Sequence, residues 1–403
     1  MKFKPFLLFI FIGYLLLSTV ACSDSDDNRH SPVDGSLRNL TFVYIMAENS
    51  LSSYATSDLL EMKMAANVIP DDCELLVFID DVKHPRICRM HHNGKTAQCD
   101  TIYSFKNDFS SSDIENARMV FSWVNERYPA QTMNVVLWSH GSGWVTGNKV
   151  RNKSLGMDNE KNDYSNYTSA ALDIDELSLL LSELKVKPTV LLFDACFMQT
   201  IETAYELRNS AEWIIASPAE IPAKGAPYDI LMEHLFAKDI DPIAIVDAYC
   251  SDYLNKREGV VLSVIDCNAM EQFAKDCAEY IPIAFNRSKG DVNTAFSYLK
   301  GGYYLGGASR YPDYSDLNAV MKNNLDASLY NEWRKSLANV VLYKATTGSW
   351  YSALHRKYYT VDKDVYCGVS MYLPREGENN LYYNTDFVST SWYSVAGWGQ
   401  AGW

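Results

Sequence analysis

Met133-Asn-Val-Val-Leu-Trp-Ser-His140 and Thr189-Val-Leu-Leu-Phe-Asp-Ala-Cys196 decide how this chain reads. Each is an apolar run of strand length that ends on a reactive side chain. Strands apolar on both faces belong to parallel sheets covered by helices. Such sheets present successive strand ends on one edge, where groups meet across a crevice. A histidine and a cysteine far apart in sequence are therefore expected to face one another. Between the runs, Asp173 with Glu176 reads as an N-cap and capping box, and Leu177, Leu180, Leu181 and Leu184 follow at helical spacing. After Cys196, Ile201, Ala204 and Tyr205 share a second helical face. The cysteine is thus expected at or just before a helix N-terminus, where the macrodipole and free N–H groups favour a thiolate.

Outward from this strand–helix–strand unit the alternation continues. Residues 39–46 read as a strand, 50–67 as a helix and 73–82 as a strand. A hairpin is expected over 86–105, turning at Asn93-Gly94. That two-residue turn sets Cys88 opposite Cys99. A disulfide there is left open, because an exported compartment permits it while a hydrogen-bonded pair is widely spaced. Ser112 and Glu115 form another capping box before Ala117, Val120, Phe121 and Val124. The expected class is α/β, a mostly parallel sheet with helices on both faces. From Ala226 onward the pattern is mostly helical, with strand-like runs at 259–265 and 367–373.

The N-terminus reads as an export signal. Lys2 and Lys4 precede an apolar run over 6–17, too short to span a bilayer comfortably, and Ser18-Thr19-Val20-Ala21 leads into Cys22. This resembles a bacterial lipoprotein signal, with Cys22 as the lipid-attachment residue, although Thr19 stands where leucine is usual. An uncleaved single-span anchor is the alternative. The acidic run Ser23-Asp-Ser-Asp-Asp27 resembles a sorting signal for the outward face of an outer membrane, and otherwise reads as a solvated linker.

The net charge of −14, with no Lys/Arg cluster, excludes the usual nucleic-acid binders. Tyr and Trp concentrate in the last third of the chain, which suits polymer handling and an ordinary core equally. His91-His92 reads as a surface pair rather than a metal site.

Chemistry follows from the two reactive residues. Peptide hydrolysis by a cysteine needs a thiolate, an imidazole to protonate the leaving amine and N–H donors for the oxyanion. Cys196 supplies the first and His140 the second, while the amides of Gly141 and Cys196 are the candidate oxyanion donors. Each residue taken singly is more often structural, but a cysteine after a small residue with its histidine upstream is a caspase-like spacing.

Ser139-His-Gly-Ser-Gly-Trp144, Ala171-Leu-Asp-Ile-Asp-Glu-Leu177, Leu192-Phe-Asp-Ala-Cys-Phe-Met198 and Glu202-Thr-Ala-Tyr-Glu-Leu207 together resemble the signature blocks of the clostripain family of cysteine peptidases, in the caspase and gingipain clan. The resemblance implies a caspase-like α/β/α sandwich and a His140–Cys196 dyad without a required third member. It also implies a substrate pocket with Asp194, Ser217, Glu220 and Lys224 on its wall. Asp194 would pair with an Arg or Lys before the scissile bond. Lys224, standing where basic-specific relatives carry an acid, would repel that cation. Otherwise Asp194 is a strand-end carboxylate capping the next helix.

The organisation expected is a signal at 1–22, a tether at 23–37, a peptidase core at 38–225, and a part at 226–403 that completes the sheet and adds a helical subdomain. The polar loop 145–169 reads as mobile. By resemblance it is a region of activating self-cleavage, with Lys149, Arg151, Lys153 and Lys161 as candidate sites. No cofactor is expected. Calcium dependence, known in some relatives, is left unassigned because Asp158, Glu160 and Asp163 lack EF-hand spacing. The expected partner is a peptide or protein substrate, met by a lipid-anchored monomer. Two rivals are an α/β-hydrolase, which would need a G-x-S-x-G elbow that the chain lacks, and a surface-anchored peptide- or glycan-binding protein with an inactive peptidase fold.

Overall fold

Strand β1 (Leu37–Met46) is buried along nearly all its length. Phe42, Tyr44 and Met46 enter one core and Val43 and Ile45 the other, the two-residue alternation of a strand covered on both sides. It lies in a computed structural model that describes residues 36–94, 96–145, 154–156, 171–289, 296–300, 312–376 and 378–403. Cys22, the export segment and most of the tether lie outside these residues. So do the candidate cleavage sites Lys149, Arg151, Lys153 and Lys161 and the acids Asp158, Glu160 and Asp163.

After β1 come α1 (Ser52–Met64), β2 (Cys73–Asp80), β3 (Arg86–His92), β4 (Ala97–Ser104), α2 (Ile114–Arg127), β5 (Ala130–Trp138), α3 (Ile174–Ser182), β6 (Val190–Asp194), α4 (Ile201–Glu206) and β7 (Trp213–Ala216). Then follow α5 (Tyr228–Leu235), α6 (Pro242–Lys256), β8 (Val261–Asp266), α7 (Met270–Ala284), β9 (Ser297–Leu299), β10 (Tyr314–Asp316), α8 (Leu317–Asn324) and α9 (Ala327–Val340). The chain closes with β11 (Val341–Thr346), β12 (Ser349–Ser352), β13 (Lys357–Thr360), β14 (Ser370–Met371), α10 (Glu378–Phe387) and α11 (Ser391–Val395).

Nine strands make one sheet in the order β11-β8-β7-β6-β5-β1-β2-β3-β4. The five central strands, β7 to β2, run parallel, and each edge carries an antiparallel pair. α1, α5 and α6 cover one face; α2, α3, α4, α7, α8, α9 and α11 cover the other. This is the expected α/β/α sandwich. Strand order reverses at β1, where the chain leaves toward β2 and returns on the opposite side as β5. Functional groups of open α/β sheets gather at the carboxyl ends beside such a reversal.

Local signals held where the partners are close in sequence and failed where a distant contact intervened. The Asp173–Glu176 capping box forms. Helix α2, however, is capped by Asp113, whose carboxylate accepts from the Glu115 and Asn116 amides, and not by Ser112. The hairpin forms with a four-residue loop, because Asn93 Oδ1 accepts from both the amide and the hydroxyl of Thr96 and His92 then pairs with Ala97. The longer loop shifts the register by two residues, so Cys88 faces Thr101 and Cys99 faces Met90; a bulge at Ile87/Cys88 shifts it again only beyond them. Both cysteines are free thiols, joined by a hydrogen bond.

Within the loop read as mobile, residues 154–156 are held in place. Leu155 exchanges backbone hydrogen bonds with Leu172, and Ser142 and His140 bond to Ser154 and Gly156. Toward the C-terminus, β9 to β13 carry no strand signal in the sequence: β9, β10 and β12 are three or four residues long and bury one aromatic each, and β11 and β13 have no buried residue. Trp333, Trp350, Trp392 and Trp398 are fully buried, so these aromatics build core.

Candidate active site

His140 lies two residues beyond Trp138 on β5 and Cys196 two beyond Asp194 on β6, and Trp138 and Asp194 pair directly across parallel strands. The sheet thereby brings both side chains to one edge at one level. The turns that follow interlock. A side chain at Gly141 would put its Cβ 2.5 Å from the Cys196 carbonyl oxygen and 2.9 Å from Met198 Sδ, so the two loops close only around a glycine. Ser139 Oγ donates to the Met46 carbonyl at 2.9 Å, tying the His140 loop to the end of β1. Ser50, from the turn after β1, is 2.9 Å from His140 Nε2 through its hydroxyl.

Cys196 does not sit at a helix N-terminus. α4 begins at Ile201 under Thr200, whose hydroxyl accepts from the Thr203 amide. The intervening turn bends through Phe197 at φ +60°, a left-handed conformation costly for a non-glycine residue. It is held by the Phe197 amide on the Ala219 carbonyl, the Gln199 amide on the Ser217 carbonyl, and stacking of Phe197 on Tyr314 at 4.6 Å. With no helix dipole behind it, the thiol is pushed up to about 12 by burial and by the charges of Glu220 and Asp194, against one favourable contact from the Ile221 amide. Burial lowers His140 to about 4. Burial thus disfavours both the thiolate and the imidazolium, where the helix N-terminus expected from the sequence would favour the thiolate. The Gly141 and Cys196 amides have no acceptor among the described residues.

Asp194 is only 3% exposed. Its Oδ2 accepts from the Ala226 amide at 2.9 Å and the Tyr228 hydroxyl at 2.8 Å, so it braces the approach to α5 rather than capping α4. Its Oδ1 is buried without a hydrogen-bond partner among the described residues. A Cβ at Gly225 would lie 2.6 Å from the carboxylate, so glycine leaves the space above it. Burial raises Asp194 to about 6, while Asp58, bonded to the Trp138 indole, rises to about 9 through burial and the Asp194 charge.

The other proposed wall residues are engaged elsewhere. Lys224 pairs with Glu258 at the surface at 2.5 Å, so it does not neutralise Asp194. The Ser217 hydroxyl closes its own turn with Ala219. Glu220 accepts from the Leu354 amide at 3.0 Å, fastening the loop between β12 and β13 beside Cys196, and burial raises its pKa. Neither Ser50 nor this hairpin stood out in the sequence. A serine near a helix start reads as a cap, and the hairpin carries no motif.

Glu48, Asp80 and Asp108 bring carboxylate oxygens within 4.8 Å of one another, the metal-like grouping among the described residues. A cavity of about 510 Å³ lies apart from the dyad, lined by Asn318, Tyr330, Arg334, Tyr343, Lys344 and Tyr366 among others. Its polar groups largely satisfy one another: Asn318 bonds Val365 and Tyr330, Lys344 the Tyr366 carbonyl, and Tyr343 the distant Asp247. No helix among the described residues is long and apolar enough to cross a membrane.

Known proteins share this architecture. The Clostripain family model matches residues 43–403. Clostripain of Hathewaya histolytica is 25% identical over 220 residues, 48% of this chain and 41% of that protein, so less than half of the relative is matched. A secreted C11 cysteine protease from Bacteroides thetaiotaomicron, solved with an irreversible peptide inhibitor, superposes with a TM-score of 0.77 at 28% identity, over 90% of this chain and 99% of that one. An inactive zymogen C11 protease from Parabacteroides distasonis gives 0.75 at 25% identity with the same coverage. With the family model matching residues 43–403 of 403, the chain belongs to the clostripain family.

Proposed function

We propose that the chain is a cysteine endopeptidase in which Cys196 attacks the scissile carbonyl and His140 carries the proton. The observation that bears this reading is their placement two residues beyond a directly paired Trp138 and Asp194 on adjacent parallel strands. Because burial disfavours the charged form of each group, the thiol proton passes to His140 as the sulfur–carbon bond forms. The carbonyl electron pair moves onto oxygen, where the open amides of Gly141 and Cys196 stabilise it. Collapse of that adduct breaks the peptide bond, and His140 gives its proton to the leaving amine. A water molecule, deprotonated by His140, then hydrolyses the thioester and restores the thiol. Nucleophile, proton carrier and oxyanion donors all belong to the chain, so the reaction as written calls on no cofactor.

Preference for Arg or Lys before the cut is part of this reading. It is supported by the buried Asp194 Oδ1, which has no partner among the described residues, and by the engagement of Lys224 with Glu258. A charge-assisted hydrogen bond there is worth roughly 1.5–3 kcal/mol, on the order of 10- to 100-fold in specificity. The enzyme acts on peptide or protein substrates as an exported monomer, anchored through Cys22 at an outward-facing outer membrane; the lipoprotein-like signal and a secreted relative support export.

The test is a fluorogenic peptide library that varies the residue before the cut. Wild type should prefer Arg and Lys, Cys196→Ala and His140→Ala should be silent, and Asp194→Asn should lose the preference. Cleavage that survives Cys196→Ala would reject the mechanism. No cleavage by wild type, even after limited proteolysis or with calcium, would favour a binding protein instead.

A further inference from the structure

The turn after β1 is built more firmly than a surface loop requires. Asn49 is 3% exposed. Its Nδ2 donates to the Met46 carbonyl at 2.9 Å and its Oδ1 accepts from the Leu51 amide at 2.9 Å. The Ser139 hydroxyl donates to the same Met46 carbonyl. One carbonyl oxygen thus fixes the turn carrying Ser50 and the loop carrying His140 against each other. β1 and β5 are directly paired up to Ile45 and Trp138, so both turns grow from one level of the sheet.

Ser50 is exposed, and its hydroxyl has no evident part in holding the fold. Serine beside a helix start ordinarily caps it. Here the residue preceding α1 is Leu51, the helix has no side-chain cap, and the Ser50 hydroxyl turns instead to His140 Nε2 at 2.9 Å. An imidazole has two nitrogens, and a partner on one fixes which form the other takes. If the Ser50 hydroxyl accepts a hydrogen bond from Nε2–H, Nδ1 keeps its lone pair and is the nitrogen left to take the thiol proton.

We infer that Ser50 is a positioning residue for His140, its hydroxyl holding the ring by Nε2 so that Nδ1 exchanges the proton with Cys196. This rests on the peptidase reading above and adds a third member to a dyad that the family resemblance leaves without one. The hydroxyl accepts the Nε2–H bond before and after proton transfer. It strengthens when the ring becomes imidazolium, because hydrogen bonds to charged groups are about twice as strong as neutral ones. The gain therefore falls on the charged intermediate and not on substrate binding.

The test pairs Ser50→Val with Ser50→Thr in the full chain, two side chains of one shape of which only threonine keeps the hydroxyl. Ser50→Val should lower kcat about 10-fold with KM and thermal midpoint unchanged, and Ser50→Thr should restore most of kcat. A second readout is the tautomer of His140, read by long-range ¹H–¹⁵N correlation on ¹⁵N-histidine protein. Wild type and Ser50→Thr should show Nε2–H alone, and Ser50→Val a mixture. Equal kcat for the two variants, or an Nδ1–H ring in wild type, overturns the inference while leaving the Cys196 and His140 assignments untouched. If wild type cleaves no peptide, the peptidase reading falls separately, and the tautomer comparison still decides whether Ser50 holds the ring.

Discussion

Two thiols lie at opposite sides of the sheet, and their settings are inverted. Cys196, after the central strand β6, is pushed up to about 12 by burial and by two carboxylates. Cys88, on β3 of the edge hairpin, is drawn down to about 7, chiefly by the hydrogen bond from Cys99 and then by Thr101 and Arg86 against the cost of burial. The residue that ordinary thiol chemistry would select as reactive is in the hairpin, and the one proposed as nucleophile is held toward its protonated form by burial. Acidity in the resting state and position in the fold are separate properties. A nucleophile that shares an edge with an imidazole can stay protonated until the substrate arrives, since transfer needs only a partner at that moment.

Removing each thiol in turn should have the largest consequence. Cys196→Ala is expected to lower kcat/KM by at least about 10³-fold, whereas Cys88→Ala should keep it within about two-fold. A silent Cys88→Ala with an unchanged thermal midpoint would break the comparison.

Alkylation by iodoacetamide, followed by peptide mass spectrometry, sharpens it next. A thiol titrating near 12 gains about 10-fold in thiolate for each pH unit, so labelling of Cys196 should rise about 100-fold between pH 7 and 9. Cys88, titrating near 7, should rise about two-fold over the same interval. Parallel profiles would show that the two sites do not differ.

The smallest effect is expected at Glu220. Glu220→Gln removes one of the charges that raise Cys196 but leaves an oxygen for the Leu354 amide. Labelling of Cys196 at pH 8 should then rise about three- to ten-fold with little loss of stability. Unchanged labelling would assign the raised thiol to burial alone.

The contrast between these regions also marks where sequence reading works. The β5–α3–β6 unit was legible because its signals are local: apolar runs of strand length, a capping box that forms as read, and leucines at helical spacing that reach the core. The edge hairpin was half legible. Asn-Gly located the turn, but Asn93 bonds onward to Thr96, which lengthens the loop to four residues and moves the register, and no local pattern carries that contact. The strand pattern carries Cys196 to the sheet edge, but an apolar face beginning at Ile201 does not reveal the four residues of irregular turn that separate it from the helix N-terminus.

By itself the sequence determined the α/β/α class, the helical crossover between β5 and β6, and the delivery of His140 and Cys196 to one sheet edge. Strand alternation and helix caps are set by neighbours a few residues apart. Only the tertiary structure decided that Ser50 meets His140, that Lys224 turns to Glu258 rather than to Asp194, and that Glu220 fastens the β12–β13 hairpin beside the thiol. Each of these joins groups 34 or more positions apart. Hydrogen bonding and desolvation act through space, so they take effect only once packing has fixed which distant groups share a surface and which lose their water.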